Sequence, residues 1–326
     1  MSGPSRHGAD STDVQPVTAS TLRDWPLPMP GVDADKEVRG HVLIVAGSRE
    51  MPGALLLAAT AALRAGAGKL TIATAASVAP QLGVALPEAR VIGLAESADG
   101  GLLAGGADQA DAAAALNPAL RKACRCASAI LIGPGMQDEQ ASAALVRALL
   151  AACTAAEDGK DVPLILDAGG MCVVTGNSDH ADHVGERFTT PVLLTPHAGE
   201  LAGLTGARKE DIAADPHAAA GAAARQWNAV VALKGATTVI ANPTGQSWCH
   251  TGGNTGLAIS GSGDVLAGLI AGLAARGATL EQAAAWGVAL HAMAGEQLSL
   301  KHGPLGYLAR EISAEVPALL RALSAH

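Results

Sequence analysis

The sequence predicts an α/β fold in which a mostly parallel sheet is covered by helices on both faces. Short apolar runs of strand length alternate with longer segments of helical length and composition. Many of the runs end in Gly, Asp or Pro, which are typical of the turns that follow strands. Hydrophobic residues make up 49% of the 326 residues and aromatic residues only 2%, so the core is expected to be aliphatic.

The first predicted unit is β-α-β. Residues 41–46 (HVLIVA) form a continuous apolar run, which is the pattern of a buried parallel strand. Residues 54–65 (ALLLAATAALRA) have helical length and composition, and the glycines at 66 and 68 stop them. Residues 69–73 (KLTIA) predict the next strand.

The alternation continues to the C-terminus. Further buried strands are predicted at residues 129–132, 163–166, 191–194 and 230–233. Helices are predicted at residues 139–153, 218–227, 264–276, 280–298 and 307–323. Residues 238–241 and 247–250 predict an antiparallel hairpin around the turn Pro243-Thr244-Gly245.

The N-terminal part of the chain differs from the rest. Residues 1–36 are polar, and we predict a flexible arm there with at most one helical turn around residues 21–25. The arm lacks the apolar stretch of a secretory signal. No change in composition divides residues 37–326, so we expect a single domain of that extent.

Charge and hydropathy exclude several classes of partner. A net charge of −8 and a pI near 5.6 argue against nucleic acid, which needs a basic surface. A nucleotide remains possible, because backbone amides can hold phosphates without net charge. The longest apolar run, residues 265–275, falls short of the roughly 18 residues of a membrane span, so we expect no membrane partner.

The cysteines favour a cytoplasmic protein without a metal site of its own. Their odd number and their spacing, which is unlike that of zinc sites, indicate reduced thiols. Cys124 and Cys126 could bind a soft metal, although small core residues are the commoner interpretation. The acidic and histidine cluster at residues 179–183 lies in a polar stretch and is interpreted as solvated.

Polar or small residues follow five of the predicted strands. In open α/β sheets, ligands bind beyond the carboxyl ends of the strands. The residues at those ends are Gly47-Ser48, Gly133-Pro134-Gly135, Asp167, Thr195-Pro196-His197 and Lys234-Gly235. Each alone could be ordinary turn chemistry, but five together predict a ligand site.

The most specific local pattern is GGNTGLAISGSGD at residues 252–264, which runs into a helical segment. Free amides at a helix N-terminus behind a glycine loop suit a phosphate. Asp264 stands at that helix start, where it is either an N-cap or a general base beside the phosphate. The P-loop pattern fails, because Leu70 follows Gly68-Lys69, and the dinucleotide pattern lacks its third glycine at Thr71.

These segments in this order resemble the NAD(P)H-hydrate dehydratase branch of the ribokinase-like superfamily. The resemblance spans about residues 41–320 and rests on these segments: AGSREMPGA (46–54), AALRAGAGKL (61–70), LIGPG (131–135), LILDAGG (164–170), LLTPHAGEL (193–201), VALKGATTVIA (231–241), GNTGLAISGSGDVLAGLIAGL (253–273) and GVALHAMAGE (287–296). The GSGD element marks the superfamily, while TPHAGE and LKGATT favour the dehydratase branch over sugar kinases.

The resemblance implies a three-layer α/β/α sandwich and a repair reaction. The expected substrates are hydrated NADH and NADPH, and ADP or ATP is expected to drive the loss of water as phosphoryl donor. The expected cofactor is Mg²⁺, and the resemblance implies a homo-oligomer, a tetramer. Phosphorylation would turn hydroxide, a poor leaving group, into a good one.

The resemblance also assigns roles residue by residue. Asp264 matches the superfamily base, and the Gly261–Gly263 amides would stabilise the transferring phosphoryl group. The positions that match contacts to the hydrated dinucleotide are Ala54, Gly135, His197 and Asp264. The positions that match the AMP and phosphate site are Lys234, Gly235, Ala236, Thr237, Thr238 and Gly263.

Three residues depart from the family pattern. Met51 replaces a Tyr, Gly169 replaces the second Asp of DADAL, and Ala198 replaces the Pro of PHPGE. The epimerase domain that is often fused in front is not expected in the short stretch before residue 41. Two alternatives therefore stay open: a kinase of a small hydroxylated metabolite, and a nucleotide-binding module that has lost catalysis.

Overall fold

The computed structural model describes residues 14–31, 33, 35–105, 116–154, 161–175 and 187–324. Its strands are β1 (Val14–Pro16), β2 (His41–Val45), β3 (Lys69–Ala75), β4 (Ala89–Leu94), β5 (Ala129–Ile132), β6 (Leu164–Leu166), β7 (Val192–Leu194), β8 (Val230–Leu233), β9 (Thr237–Ala241) and β10 (Ser247–Thr251). They form one sheet in the order β1-β10-β9-β8-β7-β6-β5-β2-β3-β4. Only β9 runs antiparallel to its neighbours among these strands, which confirms the mostly parallel sheet.

Helices cover both faces of the sheet. They are α1 (Ala19–Asp24), α2 (Pro52–Arg64), α3 (Ala79–Ala85), α4 (Pro118–Cys126), α5 (Glu139–Thr154), α6 (Ala198–Thr205), α7 (Lys209–Ala214), α8 (Pro216–Trp227), α9 (Ser262–Ala275), α10 (Leu280–His302) and α11 (Ala309–Ser324). None of the helices in the described part of the chain is long and apolar enough to span a bilayer.

Alternation along the strands builds two cores, one on each face. In β2, Val42 and Ile44 face the core formed with α2, α9 and α10, while Leu43 and Val45 face the core formed with α4, α5 and α8. Because both faces of β2 are buried, its sequence is apolar throughout. The arrangement is the predicted three-layer α/β/α sandwich.

Helix α9 packs unusually close to α2. A Cβ atom at Gly268 would overlap the carbonyl oxygen of Ala58, and one at Gly272 would crowd that of Ala62. The absence of side chains at both glycines therefore lets the two helix backbones approach each other. This contact fixes the position of α9, whose first turn carries the predicted base.

The predicted elements of the core are confirmed within a few residues at each end. The strands at residues 129–132 and 230–233 have the predicted bounds, and β9 pairs with β10 as the expected hairpin. Strand β4 was not predicted, because it is an edge strand in which buried and more exposed residues mix. The short helices α3, α4, α6 and α7 were not predicted either.

The prediction of a flexible arm through residue 36 is wrong for residues 14–30. Strand β1 pairs with β10 at the edge of the sheet, and Leu22 of α1 is 1% exposed. Trp25 stacks on Trp248 with ring centroids 5.8 Å apart. The segment is held largely by backbone hydrogen bonds, which leave no periodic signal in the sequence. Residues 1–13 lie outside the described residues.

Candidate active site

The predicted strand ends meet at one edge of the sheet. The N–H of Gly47 donates to the carbonyl of Pro134 at 2.7 Å, which joins the ends of β2 and β5. The N–H of Lys234 donates to the carbonyl of Pro196 at 2.8 Å, and His197 and Lys234 form an isolated parallel bridge. The structure therefore brings these residues of the predicted ligand site together.

Gly135 and Ala54 form the wall of this edge beside β2. Gly135 has a φ of +70°, and a Cβ atom there would lie 2.8 Å from the Cβ of Ala54. Two residues predicted to contact the same ligand thus touch each other. Gly169 lies nearby, and a side chain at this position would overlap the carbonyl oxygen of Met136. In this packing, an Asp at position 169 would not fit without a backbone shift.

Lys234 is paired with two carboxylates. Its Nζ lies 3.0 Å from Oδ1 of Asp167 and 3.6 Å from Oε2 of Glu200. Asp167 also accepts a hydrogen bond of 2.6 Å from the Thr195 hydroxyl. Burial alone would lower the pKa of Lys234, but Asp167 and Glu200 raise it above its ordinary value, so the ammonium stays charged. The side chain is 18% exposed, so a solvated strand-end lysine is excluded.

His197 and Glu200 form a capping box at the start of α6. The Glu200 N–H donates to Nδ1 of His197 at 3.0 Å, and the His197 N–H donates to Oε2 of Glu200 at 2.7 Å. The same Oε2 atom lies 3.7 Å from Nε2 of His197 and 3.6 Å from Nζ of Lys234. Glu200 therefore links the residue predicted to contact the dinucleotide with the one predicted to contact the nucleotide. Glu200 was not predicted as a site residue, although its place three residues after His197 is the capping-box signal.

The first turn of α9 provides the predicted anion site. Gly261 is the N-cap with a φ of +88° and no side-chain cap. The amides of Gly263 and Asp264 fall in the first turn, where no intrahelical acceptor exists. A Cβ atom at Gly263 would lie 3.6 Å from the Lys234 Nζ, so the ammonium group sits beside this turn. Helix dipole and lysine together favour an anion here.

Asp264 is not the N-cap, because Gly261 occupies that position. The N-cap interpretation is therefore wrong, and the carboxylate is left for another role. Burial, followed by the nearby charge of Asp167, raises the pKa of Asp264 to about 6, while Lys234 opposes the shift. A half-buried carboxylate with a pKa close to neutrality is suited to accept a proton.

The turn between β8 and β9 carries the remaining predicted nucleotide residues. The Gly235 N–H contacts Oγ1 of Thr238 at 3.4 Å, and that hydroxyl donates to the Gly235 carbonyl at 3.3 Å. Thr237 Oγ1 lies 3.3 Å from Thr251 Oγ1 on β10. Gly235 and Ala236 are exposed. Contacts within the turn hold its conformation, and its exposed backbone is accessible to a ligand next to Lys234.

The described residues contain no group of three His, Cys, Asp or Glu side chains that could hold a metal ion. The acidic and histidine cluster at residues 179–183 lies outside them. All five cysteines are free thiols. Burial, with a smaller effect of Cys153, raises the pKa of Cys124 to about 12, so this thiol is a core residue.

The sheet order, the helical layers and the carboxylate at the start of α9 place the chain in the ribokinase-like class of α/β proteins. It is similar over 96% of its length, with a TM-score of 0.75 and 31% identity, to all of a crystal structure of the ADP/ATP-dependent NAD(P)H-hydrate dehydratase from Bacillus subtilis. That protein was co-crystallised with ATP and Mg²⁺.

A family model described as NAD(P)H-hydrate dehydratase matches residues 42–318, and the chain belongs to this family. It is 47% identical over 94% of its length to the ADP-dependent (S)-NAD(P)H-hydrate dehydratase of Xanthomonas campestris pv. campestris, covering 96% of that protein. It is 37% identical to the bifunctional NAD(P)H-hydrate repair enzyme Nnr of Moorella thermoacetica, of which it spans 54%.

Proposed function

We propose that this protein is an ADP-dependent (S)-NAD(P)H-hydrate dehydratase that repairs hydrated NADH and NADPH. The observation that carries the proposal is the Asp264 carboxylate, whose pKa is raised to about 6, in the first turn of α9 beside Lys234. The family supports the same reaction, and the name of the Xanthomonas relative favours ADP over ATP as the donor.

The chemistry begins at the hydroxyl group on C6 of the hydrated nicotinamide. Asp264 takes the hydroxyl proton while the oxygen attacks the terminal phosphoryl group of the nucleotide. The bond from that phosphorus to the bridging oxygen breaks, and AMP leaves when ADP is the donor. The C6–O bond then breaks with loss of phosphate, and a proton leaves C5 to restore the ring double bond. The amides at the start of α9 and the Lys234 ammonium stabilise the charge of the transferring phosphoryl group.

Two adjoining subsites hold the two substrates in this proposal. Ala54, Gly135 and His197 contact the hydrated dinucleotide, and the turn at residues 235–238 holds the AMP moiety. The two subsites lie close together, because Glu200 contacts both His197 and Lys234. This proximity suits direct transfer between bound ligands.

Mg²⁺ belongs to the same proposal as a companion of the nucleotide. The described residues supply no three-ligand group, so the ion would be held by phosphates with one or two carboxylates, as Mg²⁺ usually is. The candidates are Asp264, in the first turn of α9, and Asp167, whose charge acts on Asp264. When bound, the ion supplies positive charge to the phosphates. A cytoplasmic location and a tetramer, both expected from the sequence, complete the proposal.

The test is incubation with hydrated NADH and either ADP or ATP while the near-ultraviolet absorbance of reduced nicotinamide is followed. The proposal predicts recovery of that absorbance with release of AMP from ADP. A stable phosphoester without recovered absorbance would identify a kinase. Nucleotide binding without any product would identify a module that has lost catalysis.

A further inference from the structure

The loop that precedes α9 is held in place from the side of α10. Residues 252–261 include two glycines with positive φ, Gly253 at +84° and Gly261 at +88°. Regular structure in this stretch is limited to the 3-10 turn Thr255–Leu257. Its position therefore depends on side-chain anchors. One anchor is Glu296 of α10, whose Oε1 accepts the Gly253 N–H at 2.8 Å.

A second anchor, His291 of α10, contacts the first residue of α9. Its Nε2 lies 3.0 Å from Oγ and 3.1 Å from the carbonyl oxygen of Ser262. Burial lowers the pKa of His291 to about 4, so the ring is neutral near pH 7. A carbonyl oxygen only accepts, so the tautomer that satisfies both contacts carries its proton on Nε2.

Ser262 lies between the loop and the proposed anion site. Its own N–H donates to the carbonyl of Ile259 at 3.3 Å, and the next two amides are those of Gly263 and Asp264. A shift of the Ser262 peptide would therefore move the anion site and the Asp264 carboxylate together. The packing of Gly287 against Ile270 ties the same two helices together further along.

We propose that His291 is a positioning residue that holds the Ser262 peptide, so that the first turn of α9 and Asp264 meet the transferring phosphoryl group correctly. The inference rests on the proposed dehydratase function. His291 touches neither substrate nor nucleotide in this role; it acts through Ser262. A misplacement of about 1 Å at a reacting group costs about 100-fold in rate.

The test compares H291L with H291Q in the full chain. Gln can place an amide donor near the position of Nε2, whereas Leu cannot. We expect H291L to lower kcat by about 100-fold, with KM for the hydrated dinucleotide nearly unchanged, and H291Q to recover most of the loss. Q282L is the matched control, because Gln282 is a buried polar residue of the same helix that bonds the carbonyls of Trp25 and Pro26. It should lower the melting temperature without lowering kcat.

Equal kcat in H291L and Q282L would overturn the role of His291 and leave the proposed function standing. If the wild-type protein fails to dehydrate hydrated NADH both with ADP and with ATP, the proposed function fails instead. His291 is then judged by calorimetric titration of ADP and adenosine. The inference predicts that H291L weakens ADP binding alone. The inference is overturned if the wild type and H291L prefer ADP over adenosine to the same extent. The same holds if neither protein shows any preference.

Discussion

Two segments are anchored at different points along α10, and they have different roles. The N-terminal segment of residues 14–30 is held by the first half, where Trp286 Nε1 donates to the Trp25 carbonyl at 2.9 Å. Further along α10, Glu296 holds Gly253 in the loop of residues 252–261, and His291 holds Ser262 directly after that loop. The first segment packs against the core at residues 282 and 286 of α10, while the second leads into the first turn of α9 at the proposed site. A single helix thus supports both a stabilising contact and a positioning contact.

The largest expected effect is in the site. Asp264→Asn should lower the rate of dehydration by about 10² to 10⁴-fold, because a positioned general base is lost. Binding of ADP should be largely retained, since the amides of α9 and Lys234 are unchanged. Steady-state kinetics together with calorimetric titration measures both. Near-normal activity of this variant would show that Asp264 is not the base.

Part of the candidate site was predictable because it is encoded locally. The glycines and Asp264 stand within one short stretch, and the strand ends follow from apolar runs whose bounds the sequence marks. Their convergence needs only the rule that parallel strands present their carboxyl ends at one edge. The family resemblance then added roles for single residues such as Ala54, whose chemistry alone would suggest none.

Other parts of the site could not be predicted, because they depend on contacts between distant segments. The pairing of Lys234 with Asp167 joins residues from two strands, and the contact of His291 with Ser262 joins two helices. The prediction for the N-terminal segment was wrong for a similar reason. Its anchors are backbone carbonyls such as that of Trp25, which every residue possesses.

The second expected effect concerns the N-terminal segment. Leu22→Ala should lower the free energy of unfolding by about 2 to 5 kcal/mol, because this side chain is fully buried. The rate of dehydration at room temperature should stay near normal. Thermal denaturation and initial rates measure the two quantities.

Arg23→Ala is the matched control, since Arg23 is exposed on the same helix and should change stability by less than about 0.5 kcal/mol. If the arm were undocked, as the sequence predicted, truncation of residues 1–30 would leave activity and melting temperature nearly unchanged. The structure instead predicts a lower melting temperature for the truncated protein. An unchanged melting temperature in both Leu22→Ala and the truncation would contradict the docking of this segment.

The third effect tests the two proposed subsites. Lys234→Ala should weaken ADP binding by about 1.5 to 3 kcal/mol, the contribution of a hydrogen bond to a charged group. Binding of the hydrated dinucleotide should change much less, and His197→Ala should show the reverse pattern. Calorimetric titration of both ligands into both variants measures the four affinities.

Glu200 refines this test, because its carboxylate lies near both side chains. Glu200→Gln should slightly weaken the binding of both ligands, since the side chains of His197 and Lys234 would both lose a charged partner. Thermal denaturation checks that Lys234→Ala still folds with Asp167 left unpaired. Equal losses of both ligands in Lys234→Ala and in His197→Ala would contradict separate subsites.

The smallest expected effect links the chemistry of Asp264 to stability. In the folded protein its carboxyl keeps a proton up to about pH 6, whereas the ordinary value is 3.8. Folding therefore favours the protonated form, so the stability contributed by Asp264 falls as pH rises between these values and stays low above them.

Asp264→Asn should be more stable than the wild type at neutral pH, by on the order of 1 kcal/mol, and the difference should vanish near pH 4. Urea denaturation at the two pH values measures it, with Glu88→Gln as a control for the loss of an exposed carboxylate. The acid limb of kcat/KM in the wild type should fall near the same pH of about 6, because the base must be ionised. A variant less stable than the wild type at neutral pH would mean that the Asp264 carboxylate stabilises the fold, and the contrast between this site and the N-terminal segment would be lost.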